Sequence, residues 1–237
     1  MADRTDENGA AYAGSQLQTQ LYVNRRTQTL DNAIRETFPE LADASFQWRS
    51  PLAADGYAEY WDRTFLEAVG LGHHAADLQA FWPRGGPHWD ALAVVSVPGS
   101  TRPGVLLGEG KSYPGELYGG GSQAKPKSMS RALIEKSLAR TQKRIGVTGK
   151  TPADWCGPLY QNANRLAHLC WLRDLGIRAW LVHLLFLDDP HGPTTAAQWT
   201  SALEKADQEF GLDGLNVPAA GHVFLPARTR EELLGGA

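Results

Sequence analysis

One short apolar run limits the folds open to this chain more than any other feature. Residues 179–187 are apolar apart from His183, and the run has about half the length needed to span a membrane. A continuous run of this kind is typical of a strand buried on both faces of a sheet. The sequence therefore predicts a central strand with helices packed on each side of it, and no membrane span.

The patterns around this strand predict a mixed α/β sheet with flanking helices. Apolar residues at helical spacing alternate with segments of period two along the chain. The predicted elements are, in order, helices at 15–38 and 57–71, strands at 76–82, 90–97 and 105–111, helices at 128–145 and 158–175, the strand at 177–187, a helix at 195–210 and a short strand at 222–225.

These elements predict a single domain preceded by a tail. Residues 1–14 are polar and predict a disordered tail, and 15–237 form the domain. Its core spans about 51–187, between an N-terminal helical extension at 15–50 and a C-terminal helix-strand appendage at 188–237. The polar start contains no apolar signal segment, so we expect a cytoplasmic protein.

The predicted strand 105–111 begins with apolar residues and ends with two opposite charges, Glu109 and Lys111. Residues two apart in a strand share a face, so both charges lie on the face of Val105 and Leu107. Charged groups at the buried end of a strand are costly unless other groups compensate them. We therefore expect an ion-paired or functional site at this end of the strand.

A second carboxylate, Asp90, opens the preceding strand. In an antiparallel pair it joins the face of Glu109 only if paired residue numbers have an odd sum, as when Asp90 pairs with Lys111. Two carboxylates and a lysine then converge at one edge of the sheet. Hard cations such as Mg²⁺ bind carboxylate oxygens, backbone carbonyls and waters, and a bound cation activates water for phosphodiester cleavage. Gly110 allows a metal or substrate to approach the backbone.

Asp90 and, nineteen residues later, Glu109-Gly110-Lys111 stand on consecutive strands with a helix before them. This arrangement resembles the PD-(D/E)XK nuclease superfamily over about 51–187. The chain departs from the motif at Trp89, the residue before Asp90. The resemblance implies a restriction-endonuclease-like αβββαβ core.

The resemblance also implies a role for each motif residue. Asp90 and Glu109 would bind Mg²⁺ or Mn²⁺ together with the carbonyl of Gly110, and Lys111 would act on the nucleophilic water. The implied activity is a metal-dependent nuclease, with DNA as the expected substrate. Many such nucleases dimerise to cut both strands, so a homodimer is also implied.

Many members of this superfamily add a glutamate from the first core helix. Glu59 lies 31 residues before Asp90, a spacing similar to that in Holliday-junction-resolvase-like members. Glu67 is the rival, because on a helical wheel it lies nearer the apolar stripe. Spacing favours Glu59, and Glu67 stays open. For either residue the alternative is an exposed helix glutamate.

The predicted helix 158–175 carries Gln161, Asn164 and Arg165 just before the buried strand. Superfamily members often place a supporting helix here, so the resemblance implies that these side chains contact phosphate or brace the carboxylates. The alternative is a helical turn with solvated side chains.

Residues 123–150 form a basic segment within a chain of net charge −3. Eight Lys and Arg residues stand against one Glu, which gives this segment +7 and leaves −10 for the remainder. Such asymmetry is typical of a phosphate-binding surface, and the alternative is a solvated helix face. The predicted nucleic-acid-binding residues are Lys125, Lys127, Arg131, Lys136, Arg140, Lys143 and Arg144.

Two other functions compete with the nuclease. The first is a catalytically inactive nucleic-acid-binding module on the same fold. The second is an α/β domain in which Asp90, Glu109 and Lys111 form a structural ion-pair network without metal affinity. Two cysteines, Cys156 and Cys170, supply neither a disulfide framework nor a metal cluster and fit a reducing compartment.

Overall fold

Five strands form one mixed sheet in a computed structural model that describes residues 4–235. Their order across the sheet follows their order in the chain. Neighbours are antiparallel from β1 to β3 and parallel from β3 to β5. The strands are β1 (Ser45–Ser50), β2 (Ala91–Ser96), β3 (Gly104–Lys111), β4 (Ala179–Leu187) and β5 (Ala220–Pro226). The predicted mixed α/β sheet with flanking helices is confirmed.

Eight α-helices within residues 4–235 cover both faces of the sheet. They are α1 (Gly14–Arg25), α2 (Thr27–Thr37), α3 (Asp62–Ala68), α4 (Ala75–Phe81), α5 (Met129–Ile145), α6 (Tyr160–Asp174), α7 (Ala196–Phe210) and α8 (Arg230–Leu233). The layer of α1, α2 and α8 packs on one face, and the layer of α3 to α7 packs on the other. Among these helices, none combines the length and apolar character that crossing a membrane requires.

Strand β4 is the buried central strand that its apolar run predicts. All of its residues except Leu187 are buried. Leu181 and Leu185 pack into the layer of α3 to α7, whereas Val182 and Leu184 pack into the layer of α1 and α2. A strand covered on both faces has no solvent-facing side that would require polar residues, which explains the unbroken apolar pattern.

The prediction of a strand at 76–82 is wrong, because this segment forms helix α4. Leu78 and Phe81 stand three residues apart and are buried together, which is helical spacing. The remaining antiparallel strand is β1, in the segment predicted as a helical extension. Trp48 and Ser50 of β1 are buried while Ser45 and Gln47 are exposed, as expected for a strand covered on one face.

Both segments predicted as peripheral therefore contribute strands to the sheet. Residues 15–50 supply β1 and most of one helical layer, and 188–237 supply β5 and α7. The helix predicted at 57–71 is shorter than expected, since only Asp62–Ala68 is α-helical.

The segment before α1 packs against the domain, contrary to the predicted disordered tail. Thr5 pairs with Ala11 in an isolated bridge, and Ala10 and Ala11 are buried. The carboxylate of Asp6 forms an ion pair with Arg230 at 2.5 Å. The first three residues of the predicted tail lie outside the described residues.

Gly110 allows α1 to lie directly on β3. A Cβ atom at this position would overlap the hydroxyl oxygen of Thr19 and lie 3.3 Å from the carbonyl oxygen of Ser15. Thr19 itself donates a hydrogen bond to Ser15. The helix therefore occupies the volume that any larger side chain would need, which fixes one face of β3 as a packing face.

We expect Gly110→Ala to lower the free energy of unfolding by about 1–3 kcal/mol, because the added methyl group must push α1 away from β3. Urea denaturation measures this change. Adding Thr19→Ala should recover part of the loss by removing the overlapped hydroxyl. Gly120→Ala is the matched control, because its methyl group would meet only the flexible side chain of Gln123 at 3.6 Å. Equal effects at both glycines would contradict the prediction.

Candidate active site

The pairing of β2 with β3 brings Asp90 and Glu109 to the same edge of the sheet. Ala91 pairs with Gly108, so the residue before β2 stands opposite Glu109, and the paired numbers have the odd sum that a shared face requires. The sequence pattern also allowed a pairing of Asp90 with Lys111. In the structure Asp90 stands opposite Glu109, two residues earlier in β3. The Oδ2 atom of Asp90 accepts a hydrogen bond from the backbone N–H of Gly110 at 2.8 Å.

Glu109 is held between two cations. Its side chain is 2% exposed, and its Oε1 atom lies 2.6 Å from Nζ of Lys111. Its Oε2 atom lies 2.5 Å from both Nε and Nη2 of Arg165, which α6 places over this face of the sheet. Because each carboxylate oxygen contacts a cation, the buried charge of Glu109 is compensated.

Arg165 is fixed by more than its ion pair. Its guanidinium also donates to the backbone oxygens of Gln161 at 3.1 Å and His88 at 3.3 Å. Of the three residues predicted to support the site, Arg165 alone contacts a site carboxylate. Gln161 is exposed and Asn164 is buried nearby, and both line an adjacent cleft.

Glu59 approaches the cluster from a loop, not from a helix. It lies in the segment before α3, next to the bridge that joins Tyr60 to Trp89. Its Oε1 atom accepts a hydrogen bond from Gln16 at 3.4 Å. Glu67, the rival predicted from the helical wheel, is exposed on α3 and pairs with Arg63 at 2.7 Å.

The surroundings of Asp90 and Glu59 disfavour the charged forms of these two side chains, as expected for carboxylates packed near other carboxylates. Burial, followed by the charges of Glu109 and Glu59, raises the pKa of Asp90 well above its ordinary value. Burial, followed by the charge of Glu109, raises the pKa of Glu59. Lys111 and Arg165 offset only part of this repulsion at Asp90. At Glu59, Arg165 and Arg4 likewise offset only part of the effect, so burial and the neighbouring carboxylates determine both raised pKa values.

The chemistry of the donors fits a hard divalent cation. The site offers carboxylate oxygens and the carbonyl of Gly110, which points to the same side of β3 as the Gly110 N–H that donates to Asp90. The arrangement is not that of a closed metal cage. Both oxygens of Glu109 contact cations, and residues 4–235 contain no group of three His, Cys, Asp or Glu side chains converging on one point.

A cleft of about 730 Å³ opens beside this cluster. It lies between the turn at 83–87, the Gly-rich loop at 119–121 and the first turns of α5 and α6, and Arg165 forms part of its wall. His88, which lines this cleft, stacks on the ring of Trp61, with ring centroids 4.4 Å apart and planes 11° apart. Trp61 is 42% exposed, so part of its ring is open to solvent.

The basic segment forms helix α5 and the loop before it. Within residues 4–235, four of its lysines are exposed and form no ion pair, namely Lys125, Lys127, Lys136 and Lys143. Arg131 pairs with Glu135 at 2.6 Å, and Arg140 and Arg144 both pair with Asp174 of α6. The local excess of positive charge is therefore smaller than the sequence count of +7.

The sequence interpretation missed two features of the site. Trp61 fits the apolar stripe of the predicted helix 57–71, yet it is the residue before α3, where it is 42% exposed and stacks on His88. The available signal was Asp62, an acidic residue typical of a first helical turn, directly after it. His183 reads as a polar interruption in an apolar strand, yet β4 places it opposite Glu109. No local pattern predicts this second contact, because it depends on the register between β3 and β4.

Comparison with known protein families, curated proteins and solved structures finds no match to this chain. The functional interpretation therefore depends on the geometry and chemistry of the site.

We expect Asp90→Asn to raise the melting temperature at pH 8 by about 2–4 °C, roughly 1 kcal/mol for a chain of this size. A raised pKa in the folded state means that Asp90 supports folding below its unfolded-state pKa and loses this contribution as pH rises through its folded-state pKa. The gain should therefore shrink at pH 4. Calorimetry at both pH values measures it.

Glu67→Gln is the control for this experiment, since its carboxylate is exposed and should affect the melting temperature little at either pH. A melting temperature of Asp90→Asn below that of the wild type at pH 8 would contradict the prediction. It would mean that the hydrogen bond from Gly110 outweighs the repulsion among the carboxylates.

Proposed function

We propose that this protein is a Mg²⁺-dependent or Mn²⁺-dependent nuclease that hydrolyses phosphodiester bonds, with DNA as its substrate. The observation that carries the proposal is the meeting of Asp90, Glu109 and Lys111 on one face of the sheet at the β2–β3 pair, next to Arg165, which lines an open cleft. The cluster also contains two carboxylates, Asp90 and Glu59, whose pKa values are raised by burial and by neighbouring carboxylates, and perturbed groups of this kind are frequent at functional sites.

The order of elements supports the same proposal. With α2 to α5 set aside as additions, helix α1, strands β1 to β3, helix α6 and strand β4 run in the order α, three strands, α, strand, and the strands are adjacent in chain order. This order supports the αβββαβ core that the PD-(D/E)XK resemblance implies, with its first helix and first strand before the core predicted at 51–187. The segment 51–90 is then an insertion between β1 and β2 that brings Glu59 to the site.

Each residue of the cluster has a separate role in the proposed hydrolysis. Asp90, Glu109 and the Gly110 carbonyl would hold the cation once Glu109 is released from its ion pairs, with Glu59 as a further carboxylate beside them. The bound cation supplies activation of a water and neutralisation of charge on the phosphate. Lys111 donates one N–H to Glu109 and has two more for a water or a phosphate oxygen. Arg165 fixes Glu109 and presents positive charge to the cleft, where it stabilises negative charge on the phosphorus centre.

The surroundings of the cleft favour nucleic acid as the substrate. The exposed lysines of the α5 segment supply the charge that attracts a phosphate backbone. The exposed part of the Trp61 ring, supported by His88, offers a stacking surface for a base. A homodimer that cuts both strands remains a prediction.

One observation favours a second function, a catalytically inactive nucleic-acid-binding module. Both oxygens of Glu109 contact cations, so Lys111 and Arg165 occupy the positions where a metal would bind this carboxylate. In an inactive module these pairs would be permanent. In a nuclease they would rearrange when a metal and substrate bind.

We expect cleavage of a DNA substrate with Mg²⁺ or Mn²⁺, and a loss of about 100-fold or more in rate for Asp90→Asn and for Lys111→Met. Electrophoresis of end-labelled single-stranded and double-stranded DNA measures the rate. Glu67→Gln and Lys205→Met are matched controls, because both alter exposed side chains in surface pairs. They should keep the wild-type rate.

Metal-dependent cleavage that survives both site substitutions would overturn the site assignment. DNA binding without cleavage in either metal would favour the binding module. The absence of both binding and cleavage would leave the charged trio as a structural network.

We expect the exposed lysines to set the salt dependence of DNA binding. In the Asp90→Asn background, Lys136→Gln and Lys143→Gln should each reduce the slope of log affinity against log salt concentration by about 0.9 for a lost phosphate contact. Fluorescence anisotropy at several salt concentrations measures the slope. Lys205→Gln on α7 is the control, and an equal change for all three variants would argue against a binding surface on α5.

A further inference from the structure

A second cavity lies on the same face of the sheet, displaced from the carboxylate cluster toward β4, β5 and α7. Its volume is about 210 Å³, and most of its lining is apolar. Leu166 of α6, Phe210 of α7 and Val217 of the following loop contribute to its walls. The cavity is smaller than the roughly 300 Å³ at which pockets for drug-sized ligands begin, so it suits a smaller molecule.

His183 gives this cavity unsatisfied hydrogen-bonding groups. The residue is 8% exposed, and neither ring nitrogen has a hydrogen-bond partner within residues 4–235. Asn162 also lines the cavity; its Nδ2 donates to the Leu117 oxygen at 3.2 Å, while its buried Oδ1 atom has no partner among the described residues. Buried polar atoms without partners are costly and rare, so their meeting at one cavity needs an explanation.

The charges around the cavity favour a neutral occupant. Lys111 and Arg165, whose charges help to lower the pKa of His183, are both ion-paired with Glu109. Asp207 also lines the cavity, and burial raises the pKa of its carboxyl group. A phosphate or carboxylate ligand would find no unpaired cation among the lining residues, and it would face this acidic side chain.

The shape of the polar groups favours a ring. The imidazole of His222 lies beside that of His183, with centroids 5.3 Å apart and planes 25° apart. Desolvation lowers the pKa of His183 and of His222, although His222 stands at the exposed end of the pair, and an imidazole in its neutral form has one donor and one acceptor. Water is the competing occupant, but the volume exceeds that of several waters and most of the wall cannot hydrogen-bond to them.

We propose that this cavity binds a small, uncharged aromatic heterocycle, which packs against the apolar wall and hydrogen-bonds through its ring nitrogens to His183 and Asn162. This binding function is separate from the proposed nuclease and does not depend on it.

Benzimidazole is the probe for this site, because it is a flat ring with one donor and one acceptor nitrogen. Isothermal titration calorimetry of the full chain at pH 8 should give a dissociation constant on the order of 0.1–1 mM, typical of a ligand this small. Indene, which has the same shape without nitrogens, and benzimidazole-5-carboxylate, which is an anion, should bind at least about tenfold more weakly.

His183→Leu is the decisive variant. It keeps an apolar side chain in β4 and removes both unpartnered nitrogens, so benzimidazole affinity should fall at least about tenfold while the melting temperature rises. A rise in melting temperature excludes unfolding as the cause of lost binding. His73→Leu, at an exposed histidine, is the matched control and should keep wild-type affinity. Asp90→Asn should also keep it, which separates the cavity from the carboxylate cluster.

Three results would each overturn the proposal. They are no benzimidazole binding by the wild type at millimolar concentration, undiminished binding by His183→Leu, and equal binding of indene. The first, combined with a stabilised His183→Leu variant, would mean that the cavity holds only water.

Discussion

The buried carboxylate of Glu109 is the interaction on which the arrangement of this molecule depends. A charge that is 2% exposed must be matched, and one partner, Lys111, comes from the same strand. The other partner, Arg165, comes from α6, so the ion pair between Arg165 and Glu109 fixes the position of this helix over the sheet. The backbone oxygens of Gln161, in α6 itself, and of His88 accept hydrogen bonds from the guanidinium, and the bond to His88 connects α6 to the segment before β2.

At its C-terminal end, strand β3 packs against a helix on one face and carries charged side chains on the other. On one face, Gly110 leaves room for α1, and on the other, Glu109 and Lys111 stand under α6. Alternation along a strand makes this division automatic, since neighbouring residues point to opposite faces. The site thus has a rigid floor, because any shift of β3 would disturb α1 and the ion pairs at the same time.

Much of this arrangement could be predicted from the sequence, and the failures have physical causes. The apolar run of β4 and the charged end of β3 are local patterns, so they were predicted well. The segment at 76–82 failed because a short apolar pattern fits both a helix and a strand. Strand β1 was missed because only one of its faces is covered and few of its residues are apolar. Glu59 could be chosen from its spacing to Asp90, but its position in a loop could not.

Contacts between separate elements could not be predicted from local sequence patterns. Asp174 neutralises Arg140 and Arg144 only because α5 and α6 pack together, so the +7 of the sequence overstates the field at this surface. The same packing leaves the lysines on the exposed side. Positive charge therefore reaches solvent through these lysines and not through the paired arginines.

Lys111 and Arg165 also separate two environments on one face of the sheet. Toward β2, burial and neighbouring carboxylates raise the pKa values of Asp90 and Glu59, and a cleft opens to solvent beside Arg165. Toward β5, His183 and its neighbours line a mostly apolar cavity that has no Lys or Arg among its lining residues. Because both cations are ion-paired with Glu109, the two sides differ in chemistry, and the two proposals, a cation and phosphate site and a site for an uncharged ring, both depend on this difference.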